Sequence, residues 1–273
     1  MRFNFYKAML KILFAALFTF LMVPGVQAKE KYKGTFIYIP LDDRPVTYSY
    51  PVKNLQAAGY EILTPPEKYL ASADRTGDPD KLWQWLVENA PDADAAVISS
   101  DALIYGGLVA SRTHFFDETT LQARVQRLEM LRERLPMPLY VYSTLMRTPR
   151  ASYGNVEPPY YSKIGPAIFR YSELLDKEDT TGLTLRESLA KQAIKNNLPQ
   201  ADLNDWLQRR LKNYHVNKSL TELTAKYRFH YLAIGKDDNA PLSATHMEAR
   251  YIKRDAFALS DQIFQIIPGV DQL

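Results

Sequence analysis

Four short segments of the sequence carry polar or charged side chains, and each directly follows a run of apolar or β-branched residues. They are residues 40–45, 99–101, 142–147 and 236–239. Such apolar runs are typical of buried strands, and the carboxyl ends of parallel strands share one face of the fold, where α/β proteins hold their active sites. We therefore expect the polar residues of all four segments to meet at one rim.

Carboxylates crowded at such a rim can supply both an acid and a base. Neighbouring like charges raise the pKa of some carboxyl groups unless arginines or a cation compensate, so identical residues can take different protonation states. We predict Asp101 and Asp238 as the catalytic pair of a glycosidase-like hydrolase, in which one carboxyl protonates the leaving oxygen and the other is the nucleophile or activates water. The other predicted site residues would bind substrate: Asp42, Asp43, Arg44, Tyr105, Arg112, Arg147, Asp237 and Asn239.

The sequence leaves other roles open for these residues. Aspartates directly after a strand are ordinary helix N-caps, so Asp101 or Asp238 could satisfy helix amides instead of acting on a substrate. Each arginine could equally pair with a neighbouring aspartate. Asp42 and Asp43 could hold a divalent cation, since hard cations prefer carboxylate oxygens, and no other cofactor is expected. The same rim could also serve a non-catalytic carbohydrate- or peptide-binding protein.

The common catalytic motifs are absent from the sequence. It has no H-E-x-x-H, Walker loop, G-x-G-x-x-G or G-x-S-x-G pattern. Zinc proteolysis, nucleotide hydrolysis, dinucleotide redox chemistry and nucleophile-elbow serine chemistry therefore lack support. Residues 188–191 match S-x-x-K, but the S-D-N and K-T-G patterns that accompany it in penicillin-recognising enzymes are missing. The four histidines show no metal-ligand spacing.

Alternating strand and helix patterns predict the elements that position the rim. Strands are expected at residues 35–40, 60–64, 95–99, 139–143 and 231–235, with a sixth possible at 263–267. Helices are expected at residues 52–58, 79–89, 118–135 and 247–262, where apolar residues recur at helical spacing. The clearest apolar stripe is Leu121, Val125, Leu128 and Leu131. We predict an α/β fold of βα units with a mainly parallel sheet, in the form of an incomplete TIM-like barrel.

An insertion at residues 148–228 interrupts the alternation, because typical βα connections are only a few residues long. Its first part, residues 148–179, is rich in Pro, Tyr and Gly and is expected to form an ordered loop. Its second part is predicted to be helical. Residues 184–187 and 219–222 both fit the capping box that starts a helix, and Pro199 separates two of these helices.

The first 28 residues are typical of a cleaved secretory signal. A basic start precedes an apolar run at residues 12–23, and small residues stand before the expected cleavage after Ala28. The apolar run is shorter than the roughly 20 residues that a membrane span needs. We expect residues 29–273 to form a single α/β domain that is secreted or periplasmic and has no stable membrane anchor. The oligomeric state stays open.

Composition and charge narrow the class of protein and its partners. Hydrophobic residues make up 46% and charged residues 24%, which is typical of a folded globular protein and excludes intrinsic disorder. The absence of cysteine excludes a disulfide scaffold. The net charge of +3 comes from the leader, so the body is neutral, which argues against nucleic acid as a partner. A small-molecule or carbohydrate substrate is expected instead.

Four strings resemble a family of bacterial proteins, domain-of-unknown-function family 4127. They are IPLDDRPV at residues 39–46, SDALIYGGLVASR at 100–112, MRTP at 146–149 and DDNAP at 237–241. The helical stretch with RLKN at 210–213 and VN at 216–217 is similar as well. The resemblance implies a bacterial, often exported protein of about twice this length, and it implies no activity. It also predicts that these residues are an amino-terminal portion, with Ile263, Phe264, Ile266 and Ile267 at an unpaired sheet edge.

Overall fold

A computed structural model describes residues 32–134, 137–151 and 155–271. The described residues from Gly34 onward form one compact unit. The predicted leader and its cleavage site after Ala28 lie outside the described residues. In the part of the chain that is described, every helix is too short or too polar to cross a membrane.

Six parallel strands form a single sheet. They are β1 (Thr35–Ile39), β2 (Glu61–Leu63), β3 (Ala95–Ser99), β4 (Leu139–Leu145), β5 (Tyr231–Lys236) and β6 (Phe264–Pro268). All five pairings between neighbouring strands are parallel. The α/β class and the parallel sheet are thereby confirmed, and each predicted strand is present with its ends shifted by at most two residues.

The sheet is open across the described residues, in the order β2-β1-β3-β4-β5-β6. From β3 to β6 the strands follow chain order, as they do in part of a barrel. β2 instead lies on the outer side of β1, so the direction of winding reverses between β1 and β3. In open α/β sheets, the connections that follow the two strands at such a reversal, here β1 and β3, diverge at the carboxyl ends of the strands.

Nine helices of the described chain connect and cover the strands. They are α1 (Ser49–Ala57), α2 (Pro79–Asn89), α3 (Ser100–Ile104), α4 (Leu108–Thr113), α5 (Glu118–Arg134), α6 (Tyr161–Thr180), α7 (Leu185–Asn197), α8 (Gln200–Ala225) and α9 (Ala244–Asp255). Helices α6 to α8 lie within the predicted insertion. The expected ordered loop at residues 148–179 is wrong from Tyr161 onward, because α6 begins there.

The core lies mainly on one face of the sheet. Side chains alternate between the two faces of a strand, so Ile37 and Ile39 of β1 share a face with Leu232 and Ile234 of β5. Helices α2, α5, α8 and α9 cover this face. The stripe predicted for α5 is confirmed, since all four of its residues are buried in this core: Leu121, Val125, Leu128 and Leu131.

Local capping explains where the helices of the insertion begin and end. The capping box at Thr184 is confirmed: its hydroxyl accepts from the amide of Glu187, and the Glu187 carboxylate accepts from the amide of Thr184. Pro199 directly precedes α8, as predicted. The second predicted capping box, at Ser219, is wrong, because residues 219–222 lie inside α8. In the middle of a helix the backbone amides already bond to carbonyl oxygens of the preceding turn, so a capping-box pattern there does not mark a helix start.

Two glycines with positive φ let the chain turn sharply between α3 and α4. Gly107 has φ 117° and ψ 179°, a conformation that only glycine adopts readily. A Cβ atom at this position would lie 2.5 Å from the Cβ of Ala71 and 3.2 Å from the carbonyl oxygen of Leu41. The turn therefore packs directly on Leu41, in the loop that follows β1, and on Ala71, in the segment that follows β2.

We expect Gly107→Ala to lower the free energy of unfolding by about 2–4 kcal/mol, since it combines backbone strain with overpacking. Gly182 is the matched control: its φ is 79°, but nothing lies within 4 Å of an added Cβ. Gly182→Ala should cost only the backbone contribution, about 1–2 kcal/mol. Urea unfolding of both variants measures the difference. Equal losses would mean that contact with Ala71 does not hold the turn.

The outermost strand on the β5 side of the described sheet is β6. Phe264, Ile266 and Ile267 lie on it, at the sheet edge, as expected, and Ile263 directly precedes it. A cavity of about 420 Å³ lies beside this strand, with the 87% exposed side chain of Phe257 among its lining residues.

Candidate functional site

Asp101 lies in the first turn of α3, directly after β3, but its carboxylate does not cap this helix. The N-cap is Ser99, whose hydroxyl oxygen accepts from the amide of Ala102 at 3.2 Å. The carbonyl oxygen of Asp101 accepts from the amides of Gly106 and Gly107, each at 3.0 Å, which closes the turn into α4. The helix thus has its cap without Asp101, and the carboxylate is available for another role.

The Asp101 carboxyl group is almost completely shielded from solvent, with 1% of the residue exposed. Its Oδ1 accepts from the hydroxyl of Thr144, on β4, at 3.2 Å, and its Oδ2 has no hydrogen-bond partner in the described structure. Burial raises the pKa of Asp101 to about 7; the Thr144 hydroxyl opposes this shift and the nearby Asp237 adds to it. A carboxyl group that keeps its proton near neutral pH has the property required of a general acid.

Asp237 follows β5 and pairs with Arg112, on α4. Nη2 of Arg112 lies 2.5 Å from Oδ2 of Asp237, and both side chains are nearly fully buried. Burial raises the pKa of Asp237, against the opposing effect of the Arg112 guanidinium. The two neighbouring carboxyl groups therefore differ in environment. Asp237 contacts a guanidinium directly, whereas Asp101 contacts a hydroxyl, so Asp237 is the better carrier of negative charge.

A second arginine, Arg147, joins the group through Glu157. Its Nε and Nη2 atoms lie 2.6 and 3.1 Å from the two carboxylate oxygens of Glu157, and Nη1 of Arg112 lies 3.8 Å from Oε1. Burial lowers the pKa of Arg147, but the charges of Glu157 and Asp237 outweigh this effect and raise the pKa above its ordinary value. The side chain of Glu157 is 3% exposed and that of Arg147 is 27% exposed. Arg147 is thus reachable from solvent.

Four buried polar atoms of this group lack hydrogen-bond partners in the described structure: Oδ2 of Asp101, the hydroxyl of Tyr105, Nε of Arg112 and Oδ2 of Asp237, the last of which lies in the ion pair with Arg112. An unsatisfied buried polar atom costs about 1–3 kcal/mol, so native proteins retain few of them. Several in one place fit a site whose hydrogen bonds are completed by a ligand. We refer to the whole group as the carboxylate cluster: Asp101, Tyr105, Arg112, Arg147, Glu157 and Asp237.

Asp238 lies next to the carboxylate cluster, but its own carboxylate is fully engaged. Oδ1 accepts from the amide of Ala240 at 2.9 Å and the hydroxyl of Ser243 at 3.3 Å. Oδ2 accepts from the amide of Thr148 at 2.8 Å and the hydroxyl of Thr245 at 2.9 Å. These four bonds hold the loop between β5 and α9 against the segment after β4, which is what a structural carboxylate does.

The residues predicted on the loop after β1 bond within that loop and to the far end of the described chain. Asp42 accepts from Nε of Arg44 at 2.9 Å and from the hydroxyl of Thr47 at 2.5 Å. Nη1 of Arg44 lies 3.1 Å from Asp271. Asp43 is half-buried, and no hydrogen bond to its carboxylate occurs among the described residues. These residues form a group separate from the carboxylate cluster.

Asp42, Asp101 and Asp238 do follow the carboxyl ends of parallel strands, at the same edge of the sheet. Tyr142, on β4, is close enough to Asp42 and Asp101 for the charge of each to act on it. Its pKa is raised well above the ordinary value, first by burial, with Asp42 and Asp101 among the nearby charges that add to the effect. Asn239 is exposed. The carboxyl end of the sheet is therefore shared, but the carboxylates of Asp42, Asp101 and Asp238 have no hydrogen-bond partner in common among the described residues.

Within residues 32–134, 137–151 and 155–271, no three histidine, aspartate or glutamate side chains are grouped closely enough to hold a metal ion. A cation bound through Asp42 and Asp43 stays a prediction.

Several residues that shape the site were not predicted from the sequence. Arg210, on α8, binds both carboxylate oxygens of Glu248 at 2.8 Å. Its Nη1 donates to the carbonyl oxygen of Arg147 at 3.1 Å and to the hydroxyl of Thr148 at 3.0 Å, which fixes the backbone that carries Arg147. A signal was present, since Arg210 stands in the buried stripe of α8, where an apolar residue is expected: Leu203, Trp206, Arg210, Asn213, Asn217 and Leu220.

Comparison with known proteins identifies relatives at the level of a family. No curated protein matches the sequence. One family profile, described as a protein of unknown function, matches residues 36–273, which is most of the chain and includes the carboxylate cluster and all six strands except Thr35, the first residue of β1. The resemblance found in the four sequence strings is thereby confirmed. The chain belongs to the DUF4127 family.

Proposed function

We propose that this protein is an exported hydrolase that cleaves glycosidic bonds of extracellular or cell-wall carbohydrate by acid–base chemistry. The single observation that carries the proposal is the state of Asp101, a buried carboxyl group with a pKa of about 7. It lies near the ion-paired carboxylate of Asp237 and near polar atoms that lack hydrogen-bond partners in the described structure. Such a pair of carboxyl groups in unlike environments is what glycoside hydrolysis requires.

Each of the two carboxyl groups takes one role in this proposal. Asp101 protonates the leaving oxygen, because it retains a proton near neutral pH. Asp237 acts as the nucleophile or activates water, because contact with Arg112 favours its charged form. Asp237 replaces Asp238 in the role expected from the sequence, since both oxygens of Asp238 are already occupied by four hydrogen bonds.

Two parts of the proposal rest on the sequence. Export is supported by the leader pattern of residues 1–28. A carbohydrate substrate is supported by the many tyrosines in the connecting segments, because aromatic faces suit sugar rings.

Non-catalytic carbohydrate or peptide binding is the second candidate, and the burial of Asp101 favours it. With 1% of the residue exposed, Asp101 cannot touch a polymer unless the groups above it move. A binding protein would need only Arg147, which solvent already reaches. Turnover and binding therefore have to be measured separately.

We expect Asp101→Asn to lower the rate of glycoside hydrolysis by about 10²–10⁴-fold, the usual effect of removing a general acid. Asp237→Asn should be at least as harmful, because it removes the second carboxylate and leaves Arg112, among the described carboxylates, with only its 3.8 Å contact to Glu157. The measurement is turnover of a panel of polysaccharides and aryl glycosides by the full chain. Asp92→Asn, an exposed aspartate in a turn before β3, is the matched control and should keep full activity.

The panel separates the two candidate functions. Turnover that survives Asp101→Asn unchanged would rule out Asp101 as the acid. Saturable binding of a sugar without turnover of any member of the panel would favour the binding protein.

A further inference from the structure

Glu157 is held in the way that arginines hold the carboxylate of a ligand. Arg147 presents two nitrogen atoms to its two oxygens, at 2.6 and 3.1 Å, and Arg112 approaches the same group at 3.8 Å. This fork geometry is the arrangement by which arginine recognises carboxylates in general. Glu157 itself belongs to neither a helix nor a strand.

The charges of the carboxylate cluster show what the removal of Glu157 would leave. Arg112 has its own partner in Asp237, at 2.5 Å. Asp101 is largely uncharged below its pKa of about 7. Without Glu157, Arg147 would contact no carboxylate of the residues that the structure describes, and the site would carry one excess positive charge next to the proton donor.

A neutral sugar could not replace Glu157, because its hydroxyl groups do not compensate a guanidinium charge. A ligand carboxylate could, since it would restore the paired charge. Arg147 is 27% exposed, so such a group can approach it from solvent. The Tyr105 hydroxyl and Arg112 Nε, which have no hydrogen-bond partner among the described residues, are suited to the hydroxyl groups of a sugar ring.

We propose that the carboxylate cluster takes an acidic sugar, and that the uronate carboxylate of the substrate displaces Glu157 from Arg147 and Arg112. The inference rests on the proposed function in one respect, the choice of a sugar as the body of the ligand. In this arrangement Glu157 occupies the substrate position when the site is empty, and uncharged sugars leave it in place.

The test is calorimetric titration of the full chain with D-glucuronate, and with D-glucose as the uncharged probe. Glu157→Gln removes the competing charge and keeps the size of the side chain, so it should bind glucuronate at least 10-fold more tightly than the wild-type protein does. Its affinity for glucose should not change. Arg147→Gln should abolish glucuronate binding, and Arg147→Lys, which keeps the charge but lacks the fork, should retain part of it.

Glu173→Gln is the matched control, because Glu173, on α6, pairs with Arg170 at 3.1 Å and with Arg150 at 3.8 Å, and neither arginine belongs to the carboxylate cluster. It should bind glucuronate as the wild-type protein does. Circular dichroism establishes that each variant is folded, and an unfolded Glu157→Gln protein is replaced by Glu157→Asp, whose shorter side chain should also weaken the competition.

The outcomes divide clearly between this inference and the proposed function. No gain in glucuronate affinity in either folded variant at Glu157 would overturn the inference and make Glu157 a structural ion-pair partner. N-acetylglutamate is the probe for a peptide carboxylate. If it binds as tightly as glucuronate does, the claim that the ligand is a sugar is overturned, and recognition of a peptide carboxylate takes its place. Tighter glucuronate binding together with no hydrolysis of acidic polysaccharides would uphold the displacement of Glu157 while removing the hydrolase.

Discussion

The free energy of unfolding of Asp101→Asn, taken relative to that of the wild-type protein, is expected to increase as the pH rises. In the unfolded chain this carboxyl group has its ordinary pKa of 3.8, and in the folded protein the pKa is about 7. Between these values the folded state holds a proton that the unfolded state has released. The free energy of unfolding of the wild-type protein therefore falls as the pH increases through this window.

The size of the effect follows from the shift. Each pKa unit corresponds to about 1.4 kcal/mol, so the Asp101 penalty grows to about 4 kcal/mol between pH 4 and pH 8 and is constant above that range. Asparagine has the shape of the protonated acid and carries no such penalty. The difference in unfolding free energy between the variant and the wild-type protein should move in favour of the variant by this amount.

Urea unfolding at pH 4, 6 and 8 measures this difference, and taking the variant relative to the wild-type protein removes contributions from most other titrating groups. Asp92→Asn serves again as the control and should show a constant difference across the range. A constant difference for Asp101→Asn would mean that this carboxyl group ionises normally in the folded state. Since the same residue is assigned the catalytic proton, the variant should gain stability and lose activity together.

The second large effect is expected at Arg210. Arg210→Met leaves the Glu248 carboxylate buried without its guanidinium partner, and breaking a buried ion pair in this way costs about 3–5 kcal/mol. Arg210→Met combined with Glu248→Leu removes both charges and should recover part of that loss. Recovery will be incomplete, because the bonds from Arg210 to Thr148 and to the carbonyl oxygen of Arg147 are also lost.

Thermal or urea unfolding of the single and double variants measures both numbers. Arg170→Met is the matched control, since its pair with Glu173 is on the surface and should contribute less than about 1 kcal/mol. If Arg210→Met also lowers the free energy of unfolding by less than about 1 kcal/mol, the charge of Glu248 is neutralised by other means.

The sequence predicted the secondary structure of this protein better than its tertiary contacts. All six strands were predicted within two residues, because a buried parallel strand appears as a short uninterrupted apolar run. The position of β2 outside β1 was not predictable from these patterns, since they fix which residues form strands and leave the pairing to tertiary packing. Helices α3 and α4 were missed because they are too short to show a periodic stripe.

The same distinction applies to the site. Asp101, Arg112, Arg147, Asp237 and Tyr105 were all predicted as site residues, and the structure brings these five together. The sequence could not show which of Asp237 and Asp238 contacts Arg112, because side chains of neighbouring loop residues do not point in regular directions. Glu157 had no local signal at all: its role depends on arginines that are 10 and 45 residues away along the chain.

The central claim is that the pKa of Asp101 is about 7, so that a substantial fraction of the molecules hold this proton at neutral pH. The most direct test is a carboxyl carbon-13 NMR titration of the full chain labelled at aspartate. The Asp101 resonance is assigned as the signal that disappears in Asp101→Asn. The structure predicts a midpoint near pH 7 for this signal, well above the ordinary value of 3.8. A midpoint near pH 4 would show that Asp101 is ionised at neutral pH and cannot be the proton donor.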